Sequence, residues 1–451
     1  MSRDGGTTNS CESTTAPASP AFRADSRPKP RNLGLLAIYP REVERLPETW
    51  RVRERLLLGR ARDAQVMLAD EAVSRRHAEL EPAQAGLRVA DLGSNHGTFV
   101  DGEAVGREGR VVHEGSLVRA GNTLLLVVDD VNVHAVPMRR IAADYLGLAR
   151  DVIGGPLLCK VWQNAAHVAD LAHPVLILGE TGSGKEAVAR LVHAMRATPG
   201  PFVALNLAAI PEGLFESELF GHVRGSFTGA HGPRAGALRE ATGGVLFIDE
   251  VADLRLDLQA KLLRAIDQMS VRPLGASGDV KISTRVIAAT SQDPRKACAE
   301  GRFREDLYYR LSGVVLEVPP LRERRADIPA MAAFFLAREC PELRLSVRAA
   351  ETLALAHWRG NVRELYHAMA RASVVARSSG STEVLPEHLP ELDVFEAPDE
   401  TPLTPDAIEL ALQGAGGNAS VAARTLGVSR STLYNVLKRQ GIDPRALRAR
   451  K

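Results

Sequence analysis

The chain has 451 residues, 45 % apolar and 25 % charged, with a formal net charge of +2, a length that exceeds one ordinary core and a composition that excludes wholesale disorder. No stretch approaches the ~20 apolar residues needed to cross a bilayer. Cys11, Cys159, Cys298 and Cys340 are too scattered for a disulfide framework or a CxxC zinc site, so a soluble, cytoplasmic, multidomain protein is expected.

Residues 1–32 are rich in Ser, Thr, Pro and Gly and read as a disordered tail. From 33 to 132, short apolar runs such as Leu56 to Leu58, Leu87 to Ala90 and Leu124 to Val128 alternate with Gly, Asp and Asn turns, the pattern of an all-β sandwich. Three motifs follow in order: Gly59-Arg60, Ser74-Arg75-Arg76-His77, and Asp91-Leu92-Gly93-Ser94-Asn95-His96-Gly97-Thr98. Together they resemble the forkhead-associated (FHA) family, which binds phosphothreonine peptides. The resemblance gives Arg60 and Arg75 charge-assisted bonds to phosphate and Ser74 a hydroxyl contact. Asn95 and His96 fall on the peptide-contacting loop, with His96 where the pattern usually has Asn; His77 is assigned a structural role.

Beyond Pro137, helices alternate with buried apolar strands, Val175 to Leu178, Val245 to Ile248 and Val286 to Ala289, as in a mostly parallel α/β sheet. Gly179-Glu180-Thr181-Gly182-Ser183-Gly184-Lys185 follows one strand and opens a helix. Such a P-loop wraps phosphates with backbone N–H groups, adds a lysine charge, and aims a helix dipole at the anion. Glu186 stands where a Ser or Thr magnesium ligand is usual. A second strand ends in Asp249-Glu250, placing one carboxylate to hold Mg2+ through water and one to orient or deprotonate the attacking water.

Residues 145–392 resemble the AAA+ motor of the sigma-54-dependent transcriptional activators. The most specific element is Glu216 to His222 followed by Gly225-Ser226-Phe227-Thr228-Gly229-Ala230, close to the family's GAFTGA loop, which presses its Phe and Thr on sigma-54. Ser226 replaces the pattern's Ala. The resemblance also makes Arg304 and Arg310, in Phe303 to Leu311, candidate fingers reaching a neighbouring subunit's γ-phosphate. Arg363, in Trp358-Arg359-Gly360-Asn361-Val362-Arg363-Glu364-Leu365, becomes a nucleotide sensor on a helical lid that starts near residue 319. Asn206 becomes the residue that restrains Glu250. Ser291 occupies the γ-phosphate sensor position, where the family generally has Asn or His.

Residues 393–405 form an acidic, Pro-containing linker. From 406 to 451 two short helices flank Gly427 and resemble a Fis-type helix-turn-helix. Eight Lys/Arg against one acid, Asp443, in residues 418–451 suit DNA, and Arg430, Ser431, Thr432, Asn435, Lys438 and Arg439 are the candidate contacts.

The combined expectation is an ATP- and Mg2+-dependent activator that binds enhancer DNA and sigma-54 RNA polymerase. It would assemble from a resting dimer into a hexameric ring, and a phosphothreonine-containing protein made by Ser/Thr kinase signalling would gate it. Two readings stay open beside it: a DNA-binding regulator that uses ATP as an assembly switch, and a phosphopeptide adaptor that does not act on sigma-54.

Overall fold

The computed structural model describes residues 33–40, 47–83, 86–198, 200–226, 232–393, 408, 411 and 412. The first eleven strands are β1 (Gly34–Tyr39), β2 (Thr49–Arg51), β3 (Leu56–Gly59), β4 (Val66–Met67), β5 (Ala78–Ala83), β6 (Gly86–Asp91), β7 (Thr98–Val100), β8 (Glu103–Val105), β9 (Arg110–Val112), β10 (Leu117–Ala120) and β11 (Thr123–Val128). They form two facing sheets, ordered β2-β1-β11-β10-β7-β8 and β4-β3-β5-β6-β9, as the turn spacing predicted.

Strand β11 reads Thr-Leu-Leu-Leu-Val-Val and is buried along its whole length. Successive side chains of a strand point to opposite faces, so a continuous apolar run needs a cover on each side. Leu125 and Val127 enter the core between the two sheets. Leu124, Leu126 and Val128 instead join Leu36 and Ile38 of β1 and meet Ala326, Ala354 and Leu355 from far down the chain. The sandwich is therefore seated on another part of the molecule by its outer sheet face.

Two antiparallel strands, β12 (Arg139–Ile141) and β13 (Val152–Gly154), lead into the α/β region. There β14 (Val175–Leu178), β15 (Phe202–Asn206) and β16 (Val245–Asp249) precede a small antiparallel pair, β17 (Ser270–Val271) with β18 (Val280–Lys281). Strands β19 (Arg285–Thr290) and β20 (Val314–Glu317) complete a five-stranded sheet ordered β15-β16-β19-β14-β20. Each neighbouring pair is parallel. Alternation sends Leu246 and Ile248 of β16 into one core and Val245 and Phe247 into the other, with β14 and β19 dividing likewise. The apolar runs seen in the sequence are thus central strands covered on both faces.

Helices Ile328–Glu339, Val347–Leu355 and Asn361–Ser378 pack around Trp358 as the lid. Helical periodicity alone was expected here, yet a short parallel pair, β21 (Arg344–Leu345) with β22 (Glu383–Val384), ties its two ends. Two-residue strands carry no alternation that a sequence could display. The lid helix Val347–Leu355 carries Ala354 and Leu355 onto the sandwich, and around that apolar seat Arg119 Nε donates to Glu351 Oε2 at 2.7 Å. Arg325 Nη1 reaches Gly115 O at 3.0 Å, and Tyr39 donates its hydroxyl proton to Leu345 O. Linker residues 394–405 and the candidate DNA contacts Arg430, Ser431, Thr432, Asn435, Lys438 and Arg439 lie outside the described residues.

Candidate functional site

The glycine-rich turn connects β14 to the helix Lys185–Ala194. Gly182 has φ 75°, and a Cβ there would sit 2.3 Å from Gly360 O, so both backbone conformation and space require glycine. Lys185 is 6 % exposed, and its Nζ donates to Gly179 O at 3.0 Å and pairs with Glu250 Oε1 at 3.1 Å. The second Glu250 oxygen accepts from Ser291 twice, from the backbone N at 2.8 Å and from Oγ at 2.9 Å. Lysine, carboxylate and hydroxyl from three parallel strand ends therefore meet at one point, as open α/β sheets place their ligand crevices.

Glu250 has φ 57° and ψ 50°, a left-handed conformation that costs a non-glycine residue on the order of 1 kcal/mol and is found at functional sites. Asp249 ends β16 opposite Asn206 of β15 in register. Its Oδ1 is buried with no hydrogen-bond partner among the described residues. Burial pushes the Asp249 carboxyl above the ordinary aspartate range, and the negative charges of Glu250 and Glu186 add to this against the opposing Lys185. An orphaned carboxylate oxygen among acidic neighbours fits a divalent cation. Glu186 itself is paired with Arg190 at 2.8 Å.

The lid closes on the P-loop through residues that motif reading passed over. Arg322 makes a bidentate pair with Glu180, Nη1 to Oε2 at 2.7 Å and Nη2 to Oε1 at 2.6 Å, holding that carboxyl below the usual range. Asn361 is fully buried; its Nδ2 donates to Glu180 Oε2 and Thr181 O at 3.1 Å, and its Oδ1 accepts from Leu321 N at 2.7 Å. Arg324 Nη2 donates to Ser183 O at 3.0 Å. Arginines crowd residues 322–325 and Asn361 sits inside the Trp358–Leu365 motif, so their signal was composition, without a partner to interpret it. Arg363 starts the last lid helix, where its Cβ would lie 3.2 Å from a Cβ on Gly182.

Arg304 caps the helix Glu305–Leu311 and pairs with Asp306 at 2.7 Å, while Arg310 pairs with Asp267 at 2.8 Å. Both side chains are half-exposed and bonded to these carboxylates rather than to Lys185 or Glu250. The loop that carries Gly225 and Ser226 springs from a closed stem: His222 N donates to Arg234 O at 3.0 Å and Arg234 N to His222 O at 2.9 Å. Ser226 lies against Gly275, in the turn between β17 and β18. Phe227, Thr228, Gly229 and Ala230 lie outside the described residues.

In the sandwich, the loop ends bearing Arg60, Ser74 and Asn95 come together. Arg60 Nε donates to Val73 O at 3.2 Å, and Ser74 Oγ accepts from Asn95 N at 3.1 Å. His77, fully buried, accepts from Ser74 N at Nδ1 and contacts Gly97 O through Nε2. Accepting at Nδ1 leaves the proton on Nε2, and burial lowers the ring's pKa in keeping with that neutral form. Burial would raise Asp91, but bonds from Ser94, Thr98 and Gly93 outweigh it and hold the carboxylate low. Arg75 and His96 are exposed at the same end.

Profiles of known families match in the same order. The FHA domain covers residues 56–121, the Sigma-54 interaction domain 153–317, the AAA+ ATPase lid domain 322–404, and the Bacterial regulatory protein, Fis family, 406–439. Transcriptional regulatory protein GlrR of Escherichia coli K12 is 37 % identical over 81 % of this chain and 83 % of its own length. Transcriptional regulatory protein ZraR of Klebsiella oxytoca is 42 % identical over 67 % and 71 %. NtrX from Brucella abortus, solved with ADP, is 34 % identical over 63 % of this chain and 68 % of its own, with a TM-score of 0.49. With its P-loop, paired carboxylates and sigma-54 interaction domain between an FHA sandwich and a Fis-type segment, the chain belongs to the sigma-54-dependent transcriptional regulators.

Proposed function

We propose that this protein hydrolyses ATP and uses the resulting conformational change to remodel sigma-54 RNA polymerase toward the open complex. The observation that carries the reading is the junction of Lys185, Glu250 and Ser291 at the strand ends beneath the P-loop. The backbone of residues Gly179, Glu180, Thr181, Gly182, Ser183 and Gly184 would wrap the phosphates, and Lys185 would neutralise them. Phosphate oxygens would compete with Glu250 for the Lys185 ammonium, leaving that carboxylate to orient and deprotonate the attacking water. Mg2+, held by Asp249 through water, would neutralise charge on the transferring group.

Ser291, bonded to Glu250 by hydroxyl and backbone, would couple the state of that carboxylate to the phosphate; Asn206 would contribute from the neighbouring strand. Arg363 would sense nucleotide from the lid. Arg304 and Arg310 would leave their own carboxylate partners to act across a ring interface, in a hexamer that assembles from a resting dimer as the family resemblance implies. Gly225 to Ala230, with Phe227 and Thr228 at the tip, would contact sigma-54, while Arg430, Ser431, Thr432, Asn435, Lys438 and Arg439 bind enhancer DNA in the cytoplasm. The hydrogen-bonded ends at Arg60, Ser74 and Asn95, flanked by Arg75 and His96, would receive a phosphothreonine protein as the input signal.

The ATPase step is tested by turnover of the full-length protein with MgATP. Glu250→Gln is expected to lower kcat by at least 100-fold while ATP still binds; an unchanged kcat would remove Glu250 from the chemistry.

A further inference from the structure

A cleft of about 590 Å3 lies between the sandwich and the lid, lined on one side by His96, Arg119 and Asn122 and on the other by Arg348, Glu351 and Thr352. It continues directly from the phosphothreonine loops: His96 follows Asn95, whose backbone is bonded to Ser74, and Ala72, two residues before Ser74, also lines it.

We propose that this cleft is a composite peptide site, in which the segment flanking a bound phosphothreonine runs off the FHA loops and is read by the lid. The inference rests on the phosphothreonine reading above and adds to it a second recognition surface from another domain.

The chemistry of the walls specifies the ligand. Glu351 is 5 % exposed; its Oε2 is taken by Arg119, whereas Oε1 is buried with no partner among the described residues. Arg348 is exposed at the same cleft and makes no ion pair among the described residues. With the acid already committed to Arg119, the free charge of the cleft is positive, and it selects an acidic side chain near the phosphothreonine. A peptide so bound touches sandwich and lid at once and holds the two together, which gives the input signal a path to the element that also carries Arg363 and Asn361.

The test uses the full-length protein and a synthetic peptide pool with phosphothreonine fixed at the centre and degenerate flanks, alongside the same pool carrying threonine. The wild type should retain the phosphorylated pool selectively and enrich Asp and Glu at a flanking position, by roughly fivefold for a partly exposed ion pair. Arg348→Glu should keep phosphate-dependent retention but turn that preference to Lys and Arg; Ser74→Ala should lose retention. Phosphate-dependent retention with the same flanking preference in wild type and Arg348→Glu overturns the composite site and leaves the phosphothreonine reading standing. Absence of acidic enrichment in the wild type does the same. Equal retention of both pools by the wild type overturns both.

Discussion

Asn361 shows how much can rest on one side chain. It fills a left-handed position, φ 54°, and satisfies Leu321 N, Glu180 and Thr181 O from inside the lid. Asn361→Ala leaves the buried Leu321 N without its partner and removes the local side-chain bonds that let asparagine hold this backbone better than alanine, so a loss of about 1–3 kcal/mol is expected. Denaturant unfolding measures it, and ATP titration should show weakened affinity because the P-loop loses its brace. Asn361→Gly relieves the strain but not the polar loss and should fall between the two. His77 is the second such residue. Its pKa is lowered in the fold by burial, so the neutral ring contributes stability in full above the unfolded value of about 6.5. That contribution declines as pH falls from there through the lowered folded value, and is absent below it. NMR titration should find the ring still neutral at pH values where an exposed histidine is largely charged, with the sandwich losing stability as acid is added. The sequence made Lys185, Glu250 and Asp249 legible because each lies in a local motif. Arg322 and Asn361 were not, because their partner Glu180 lies 142 and 181 positions away, and a single sequence does not encode that proximity in its spacing.

The same division holds for elements. The all-apolar run of β11 identified a buried strand, but the strand's two covers, a facing sheet and a lid helix, emerge only from the assembled core. For the segment bearing the sigma-54 motif, the sequence displayed the Gly, Phe and Thr pattern and gave no sign of the stem that closes it. That stem begins at Gly221, with φ 82° and no space for a Cβ, which would meet Ala235 O at 2.3 Å. Ser217 and His222 bond at 2.7 Å beside it, and Arg234 pairs with Glu218. Gly221→Ala should displace the stem while leaving the Lys185–Glu250 cluster intact. The expected outcome is ATP turnover within about threefold of wild type together with sigma-54 activation reduced at least tenfold, since a misplaced contact loop costs coupling and not chemistry. Parallel loss of both activities would instead make the stem a part of the nucleotide site.

Across the whole molecule, one short stretch touches both the P-loop and the sandwich. In residues 321–327, Arg322 and Arg324 turn to Glu180 and Ser183, and Arg325 to Gly115 of the sandwich. The Arg119–Glu351 pair at the interface is 12 % and 7 % exposed. Removing one partner of so buried a pair leaves an uncompensated charge, and Glu351→Ala is expected to cost about 3 kcal/mol or more. The double replacement Arg119→Met with Glu351→Met should recover most of it. Thermal unfolding of the full chain measures both; a double variant no more stable than the single variant would show that Glu351→Ala leaves no unpaired charge to relieve.

ATP hydrolysis at Glu250 is proposed to reach sigma-54 through the loop carrying Phe227 and Thr228. Permanganate footprinting of single-stranded promoter thymines, on a sigma-54 promoter with purified polymerase, full-length protein and ATP, tests it most directly. Open complex is predicted with wild type, none with Glu250→Gln, and none with Thr228→Ala although that variant still hydrolyses ATP. Brisk wild-type hydrolysis without promoter opening, or opening that survives Thr228→Ala, would contradict it.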